Sequence, residues 1–233
     1  MKTLFVRLTF TEGILGTCPN NEDIYRDYII GKAKKAGADI SAKDEIEEIE
    51  ALPVDEQIEK GITVFPRNKD GKPFLYDYQI KGFFKDACGM LRNVPGTESS
   101  KLVAYKSKID GLIFVGPREI VLDAEPGICQ RPLRAETAQG PRVALAISEE
   151  IGAGVTCEFE ITTMVETAGK SKKKKIKTKD EDGNDIEITE EVTTSVDYVK
   201  LIREWLDYGK LRGIGQWRNS GKGRFTWEEL EIM

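Results

Sequence analysis

The sequence predicts an α+β fold: an antiparallel sheet with helices packed on one side. Three observations carry this. From Lys2 to Phe10, Leu4, Val6, Leu8 and Phe10 alternate with Thr3, Phe5, Arg7 and Thr9, the period of two that marks a strand with one buried face. Val196 to Tyr208 spaces Val199, Ile202, Trp205 and Leu206 by three or four, a helix with one apolar stripe. The order of elements along the chain is strand, helix, strands, helix, strands, helix, strand. It lacks the regular strand–helix alternation of a parallel sheet.

Taken in order, Thr11-Glu-Gly-Ile-Leu-Gly-Thr17 turns the chain out of the first strand. Asn20 to Ala36 reads as a helix, with Ile24, Tyr28 and Ile29 on one face and acids in its first turn. Asp39 to Lys60 is acidic, poor in large apolar residues and broken by Pro53. It reads as a surface insertion of two short helices, with a partner-docking arm as the alternative. Ile62 to Pro66 is a short strand, and Asn68-Lys-Asp-Gly-Lys-Pro73 is a hairpin turn of the Asp-Gly class. Phe74 to Gln79 is an aromatic strand and Lys81-Gly82 a turn. Phe83 to Asn93 is then a helix with Phe84, Ala87, Cys88 and Leu91 inward.

Beyond a loop at 95–100 and a lysine-bearing stretch from Lys101 to Ile109, strands are expected at Gly111 to Gly116 and Arg118 to Leu122. Arg131 to Arg142 has little apolar content. It is expected as an irregular basic segment on the surface or across a ligand groove. Val143 to Ile147 is a strand, Glu149 to Gly154 a turn, and Val155 to Met164 an alternating strand. Lys170 to Lys179 and Asp185 to Thr193 flank Asp182-Gly-Asn184 as a hairpin with one basic and one acidic strand. Cross-strand ion pairs account for that composition; a projecting arm that touches nucleic acid or a neighbour is the alternative. The last helix is expected to stop at Gly209, and a final strand runs from Gly223 to Leu230.

The composition narrows the chemistry. At 233 residues the chain is long enough to bury a sizeable core, and one domain over 1–233, with insertions at about 39–60 and 165–195, is the expected organisation. The chain contains no histidine. Ser-His-Asp and Cys-His nucleophile systems, histidine-ligated metals and imidazole acid/base chemistry are thereby excluded. Cys18, Cys88, Cys129 and Cys157 form no Cys-x-x-Cys pair and read as free thiols in a reducing compartment; no metal or cofactor is expected. No window approaches the roughly 18 consecutive apolar residues of a membrane span, so a cytoplasmic protein with no membrane partner is expected. The net charge of −5 conceals a split. Acid gathers at 44–59 and 180–191, base at 131–142, 170–179 and 212–224, so overall acidity leaves room for a polyanion-binding face.

The densest chemistry lies between Leu211 and Phe225. Gly213, Gly215, Gly221 and Gly223 are interleaved there with Arg212, Arg218, Asn219, Lys222 and Arg224 around Trp217. Glycines permit close approach and positive φ, successive N–H groups form anion-binding concavities, and an indole offers a base a flat face. The alternative is a Gly-rich bend with surface charge.

Several segments in register resemble the RAMP superfamily, the ferredoxin-like or RRM-related proteins that form backbone subunits of CRISPR effector complexes. A first strand ends in a Gly-rich turn, as at Thr11 to Thr17. A Gly-x-Pro-hydrophobic segment leads to a Lys-Gly turn and a helix, as from Gly71-Lys-Pro-Phe74 to Lys81-Gly82. Ile151-Gly-Ala-Gly-Val-Thr-Cys-Glu-Phe-Glu-Ile161 resembles a further stretch, and a Gly-rich loop follows the last helix. Where the family often has Pro-Gly-Ser-Ser before the Lys-Gly turn, this sequence reads Tyr76-Asp-Tyr-Gln79. The opening segment and the Gly215-Gln-Trp-Arg-Asn219 block are also similar to prophage proteins, which implies a solitary phage-carried member.

The resemblance implies a ferredoxin-like, RRM-like sheet and non-catalytic binding of single-stranded RNA or ssDNA, with homo-oligomers or other RAMP-like subunits as partners. It further implies that Lys81, Lys85, Arg131, Arg134, Arg142, Arg218, Lys222 and Arg224 track phosphates. Trp217, Tyr76, Tyr78 and Phe83 are the candidates for stacking on bases, although core packing is the expectation for Phe83. Two alternatives remain open. Some relatives cleave RNA, and Asp23 is the nearest candidate for a catalytic carboxylate. A phage protein that binds and inhibits a host CRISPR complex is the other.

Overall fold

A computed structural model of the chain describes residues 1–19, 62–137, 140–179 and 185–231, with the backbone alone described at 133–137, 140–144, 169–179 and 185–194. The helix expected at 20–36, the acidic insertion and Asp23 lie outside the described residues.

The architecture is α+β, built on a four-stranded antiparallel sheet. Its strands are β1 (Lys2–Phe10), β6 (Ile113–Gly116), β10 (Thr156–Thr163) and β13 (Phe225–Leu230). The spatial order β13-β1-β10-β6 places the fourth, first, third and second of them side by side. Helix α1 (Asp77–Leu91) lies between the first two in sequence and α3 (Tyr198–Arg212) between the last two, which is the βαββαβ topology of ferredoxin-like folds. The alternation in β1 sets its register. Leu4, Val6, Leu8 and Phe10 face inward to meet Cys157, Phe159 and Ile161 of β10, Phe84 and Cys88 of α1, and Trp205 and Leu206 of α3 in one continuous core.

A second sheet forms around β9 (Gly140–Ile151), with β8 (Gly127–Thr137) along one side of it. On its other side lie β2 (Ile14–Leu15) and the parallel β4 (Ile62–Val64), which in turn pairs β3 (Cys18–Pro19). Strands β5 (Phe74–Tyr76) and β7 (Glu119–Val121) make a small separate pair. Strands β11 (Thr167–Lys179) and β12 (Asp185–Asp197) pair along their whole length. Their register sets Lys173 opposite Glu191, Lys174 opposite Glu190, Lys177 opposite Glu187 and Lys179 opposite Asp185, as a basic strand against an acidic one requires. No described helix is long and apolar enough to cross a membrane.

Four expectations need correction. The Lys81-Gly82 turn does not exist, because α1 begins at Asp77 and runs through both residues. Its start is fixed by a capping box at Tyr76, whose backbone N–H donates to the Gln79 side chain at 2.8 Å. Gly209 does not stop α3, which continues to Arg212 and ends at Gly213. Gly209 is a packing glycine: a Cβ there would overlap the Phe225 ring. The segment 131–142 is not irregular, since most of it belongs to the β8–β9 ribbon, where paired backbone replaces apolar content as the source of order. Lys101 to Ile109 carries an unexpected helix, α2 (Tyr105–Leu112), packed on α1.

Candidate functional site

The loop after α3 folds back on the first turn of the chain, and glycines make this possible. Ile214 N donates to Gly223 O and Gly223 N to Gly13 O, each at 2.9 Å. Gly213 and Gly223 have φ of 72° and 71°, and a Cβ on either would overlap the backbone of the opposite limb. The limbs therefore cross with no space for side chains, and the loop's tip is tied to α1 through Arg218 and Asp86.

Between that tip, α1 and the second sheet lies a groove of about 500 Å3. Thr17, Thr63, Gln79, Gly82, Phe83, Ile214, Gly215, Gln216 and Arg218 line it. One of these is a cation, and none is a carboxylate. The polar wall is fixed by its own hydrogen bonds. The Gln79 amide nitrogen donates to Thr17 Oγ1 at 2.8 Å. That of Gln216 donates to Thr63 Oγ1 at 2.8 Å and to the Gly16 carbonyl oxygen. Thr63 Oγ1 in turn bonds Ser148 Oγ at 2.7 Å. Gly82 is exposed, and beside it a Cβ would meet nothing within 4 Å.

Around the groove the basic side chains outnumber their acidic partners. Arg212 and Arg218 share the single Asp86 carboxylate at 2.9 and 2.7 Å, and the Asp86 hydrogen bond raises the Arg212 pKa further above its ordinary value. Lys222 pairs with Glu150. Arg224 Nε donates to the Leu211 carbonyl at 3.0 Å. Arg131 reaches Ser148, Gln216 and the face of Trp217, none of them acidic. Five cations thus meet two carboxylates among these contacts of the described residues, and only Lys222 has a carboxylate to itself.

The structure brings together Arg131, Gly213, Gly215, Trp217, Arg218, Asn219, Gly221, Lys222, Gly223 and Arg224. Asn219 accepts from Arg212 Nη1 at 2.7 Å, and Gly221 lies beside the Arg224 guanidinium. Lys81 and Lys85 are directed elsewhere. Lys81 donates to the Asp110 carbonyl at 3.1 Å and lies over the Phe114 ring, while Lys85 pairs with the Asp110 carboxylate at 2.6 Å. Both therefore serve the α1–α2 contact. Arg134 and Arg142 sit at register positions opposite Val143 and Ala135 in the β8–β9 ribbon. Tyr76 and Tyr78 stack on each other with centroids 5.0 Å apart, and Arg118 lies over both. Phe83 is buried against Phe225, as expected for a core aromatic, with one edge on the groove.

Sequence reasoning missed Thr17, Thr63, Gln79, Gln216, Asp86 and Ser148. Gln216 stands inside the Gly-rich block, and Gln79 is the N3 residue of a helix whose start the sequence places at Phe83 instead. Nothing in the sequence marks the others, whose partners in the groove wall and the loop are 62–153 residues away, apart from the Ser148–Arg131 bond across 17 residues of the β8–β9 ribbon.

The open face of the main sheet has the opposite polarity. Arg7 lies between Glu158 and Glu228, its neighbours in register, and bonds both, while Glu160 lies beside them opposite Phe5. Three glutamates around one arginine repel a polyanion.

No protein-family model matches the sequence, and a search of curated proteins finds no match. Forty chains of solved structures match. One is from a cryo-EM structure of the type III-B Cmr-beta bound to cognate target RNA, with a TM-score of 0.45 and 12% identity. The match covers all of this chain and 60% of that chain. Similarity at this level adds nothing to the topology read directly from the strand order.

Proposed function

We propose that this chain is a non-catalytic, RAMP-like protein that binds single-stranded nucleic acid, RNA in preference to DNA, along the groove beneath the Gly-rich loop. The observation that carries the proposal is the groove's lining: glycines, amides, hydroxyls, an aromatic edge and an arginine, with no carboxylate, beside cations that outnumber the carboxylates they bond. Glycines let a backbone or base approach closely, and fixed amide and hydroxyl groups suit the 2′-hydroxyl that distinguishes RNA. A groove of this size falls in the range of sites for single small ligands, about 300–1,000 Å3. Its volume matches one nucleotide-sized unit, and several copies side by side would extend the track for a longer strand. This supports assembly into a multimer along the strand.

Titration of labelled oligouridylate and oligothymidylate at several salt concentrations tests the proposal. Arg218→Ala and Lys222→Ala should each weaken binding to all sequences alike and reduce the log–log salt slope by about one. An unchanged slope in both variants refutes a phosphate role, and equal affinity for the two oligomers refutes the preference for RNA. The nuclease alternative has only Asp23 to rest on. Incubation of labelled RNA with magnesium, with and without Asp23→Ala, decides it.

A further inference from the structure

One side chain at the site is not explained by the fold. Arg131, on β8, is 6% exposed. Its Nη2 donates to Ser148 Oγ at 3.0 Å and makes a long contact of 3.4 Å with Gln216 Oε1, while Nε and Nη1 have no partner. No described carboxylate bonds it. Arginine stays protonated, and a buried cation without a counter-charge is costly to hold. It lies directly behind the groove wall, since Gln216 lines the groove on one side and touches Arg131 on the other.

What covers Arg131 is Trp217, whose ring centroid lies 4.8 Å from the guanidinium carbon. Trp217 is held at φ 57°, a left-handed conformation that costs a bulky residue energy. It stands between Gly215 and Gly221, both at positive φ, a conformation that glycine adopts without a Cβ penalty and leaves for others as readily.

We propose that Arg131 is a covered oxyanion site for a phosphate group of the bound strand. In the free protein the indole lies face-on to the guanidinium. When a strand enters the groove, the indole swings away, the unused N–H groups of Nε and Nη1 bind phosphoryl oxygens, and the released indole becomes available to a base. This inference rests on the groove reading above and gives it a specific anion subsite.

The test compares wild type, Arg131→Met, Arg131→Lys and Arg218→Ala by thermal melting and by titration with labelled oligouridylate, inorganic phosphate and pyrophosphate. Arg131→Met should lower oligouridylate affinity about tenfold or more and leave the melting temperature unchanged or raised, because an uncompensated buried charge has gone. Arg131→Lys should recover only part of the affinity, since a point charge replaces a planar set of donors. A lower melting temperature with unchanged affinity would make Arg131 purely structural and overturn the proposal. If Arg218→Ala weakens the oligomer and Arg131→Met does not, the groove reading survives and the Arg131 site falls. If the oligomer does not bind, but phosphate or pyrophosphate raises the melting temperature of wild type and not of Arg131→Met, the polymer reading falls and the oxyanion site survives. No response to any probe overturns both. Should Arg131→Met fail to fold, the tryptophan emission of wild type on oligouridylate binding decides instead. A change absent in Trp217→Phe supports the uncovering, and binding without such a change overturns it.

Discussion

A glycine inside α1 separates what the fold needs from what the groove needs. Gly82 lies in a helical turn, at a position where a Cβ meets nothing within 4 Å, and it lines the groove. For folding alone, alanine is the better residue there. Replacing an interior helical glycine with alanine stabilises by about 0.5–1 kcal/mol. In a chain of this length that corresponds to a rise in Tm of about 1–4 °C. A longer helix-former at the same place, Gly82→Gln, should keep most of that gain while projecting into the groove and displacing the bound unit. Losing one stacked base costs about 1–3 kcal/mol, so oligouridylate affinity should fall about fivefold or more. The two effects have opposite signs, which no general loss of structure can imitate. Calorimetry or circular dichroism gives the first and fluorescence anisotropy the second. A Gly82→Ala protein that melts below wild type, or a Gly82→Gln protein that binds as wild type does, would refute the reasoning.

Other consequences are as definite. Gly223→Ala, at φ 71° and pressed on the Ile214 carbonyl, should cost about 2 kcal/mol or more and lower the melting temperature. Ser99→Ala removes the acceptor of the buried Trp205 indole N–H at 2.9 Å, and denaturant unfolding should show a loss of about 1–3 kcal/mol. Burial pushes the thiols of Cys88 and Cys157 up to about 11 and about 12, from an ordinary value of 9.0. Their contribution is fully present below pH 9 and is lost as pH rises through 11 and 12. Each thiol steepens the alkaline fall in stability by about 1.4 kcal/mol per pH unit, and the Cys88→Ala/Cys157→Ala double variant should flatten that fall between pH 9 and 11.

The sequence was most informative where one period governs a whole element. The alternation of β1 and of Thr156–Thr163 and the apolar stripe of α3 were legible, because each buries a single face against the same core. It was least informative where a glycine has two meanings. Gly82 and Gly209 both looked like breaks, yet one lies in a helix beside open space and the other is squeezed by Phe225. The Gly-rich loop was recognisable as a candidate site, but the disposition of its charges was not. Asp86 stands 126 and 132 residues from the arginines it holds, and Glu150 stands 72 from Lys222. Lys81 and Lys85, one turn apart, read alike in the sequence, yet Lys81 donates to the Asp110 carbonyl and only Lys85 pairs with the Asp110 carboxylate. A list of cations shows how much positive charge is present, but only the fold shows which of it is already neutralised.

That distinction also decides on which side of the molecule a strand can run. In a ferredoxin-like topology the open sheet face is a broad surface available to a ligand, and here it carries Glu158, Glu160 and Glu228 around a lone, doubly paired Arg7. The loop side carries the cations that outnumber the carboxylates they bond, the acid-free groove and the buried, half-satisfied Arg131. Neutralising the sheet face is therefore the informative control. Glu158→Gln and Glu228→Gln together remove two negative charges from the protein, and if total charge governed binding they should strengthen it by about twice the free energy that Arg218→Ala costs. If the strand runs under the loop, the double variant should bind oligouridylate within about twofold of wild type at 0.15 M salt, where charges more than about 8 Å from the ligand are largely screened. A gain of tenfold would place the strand on the sheet.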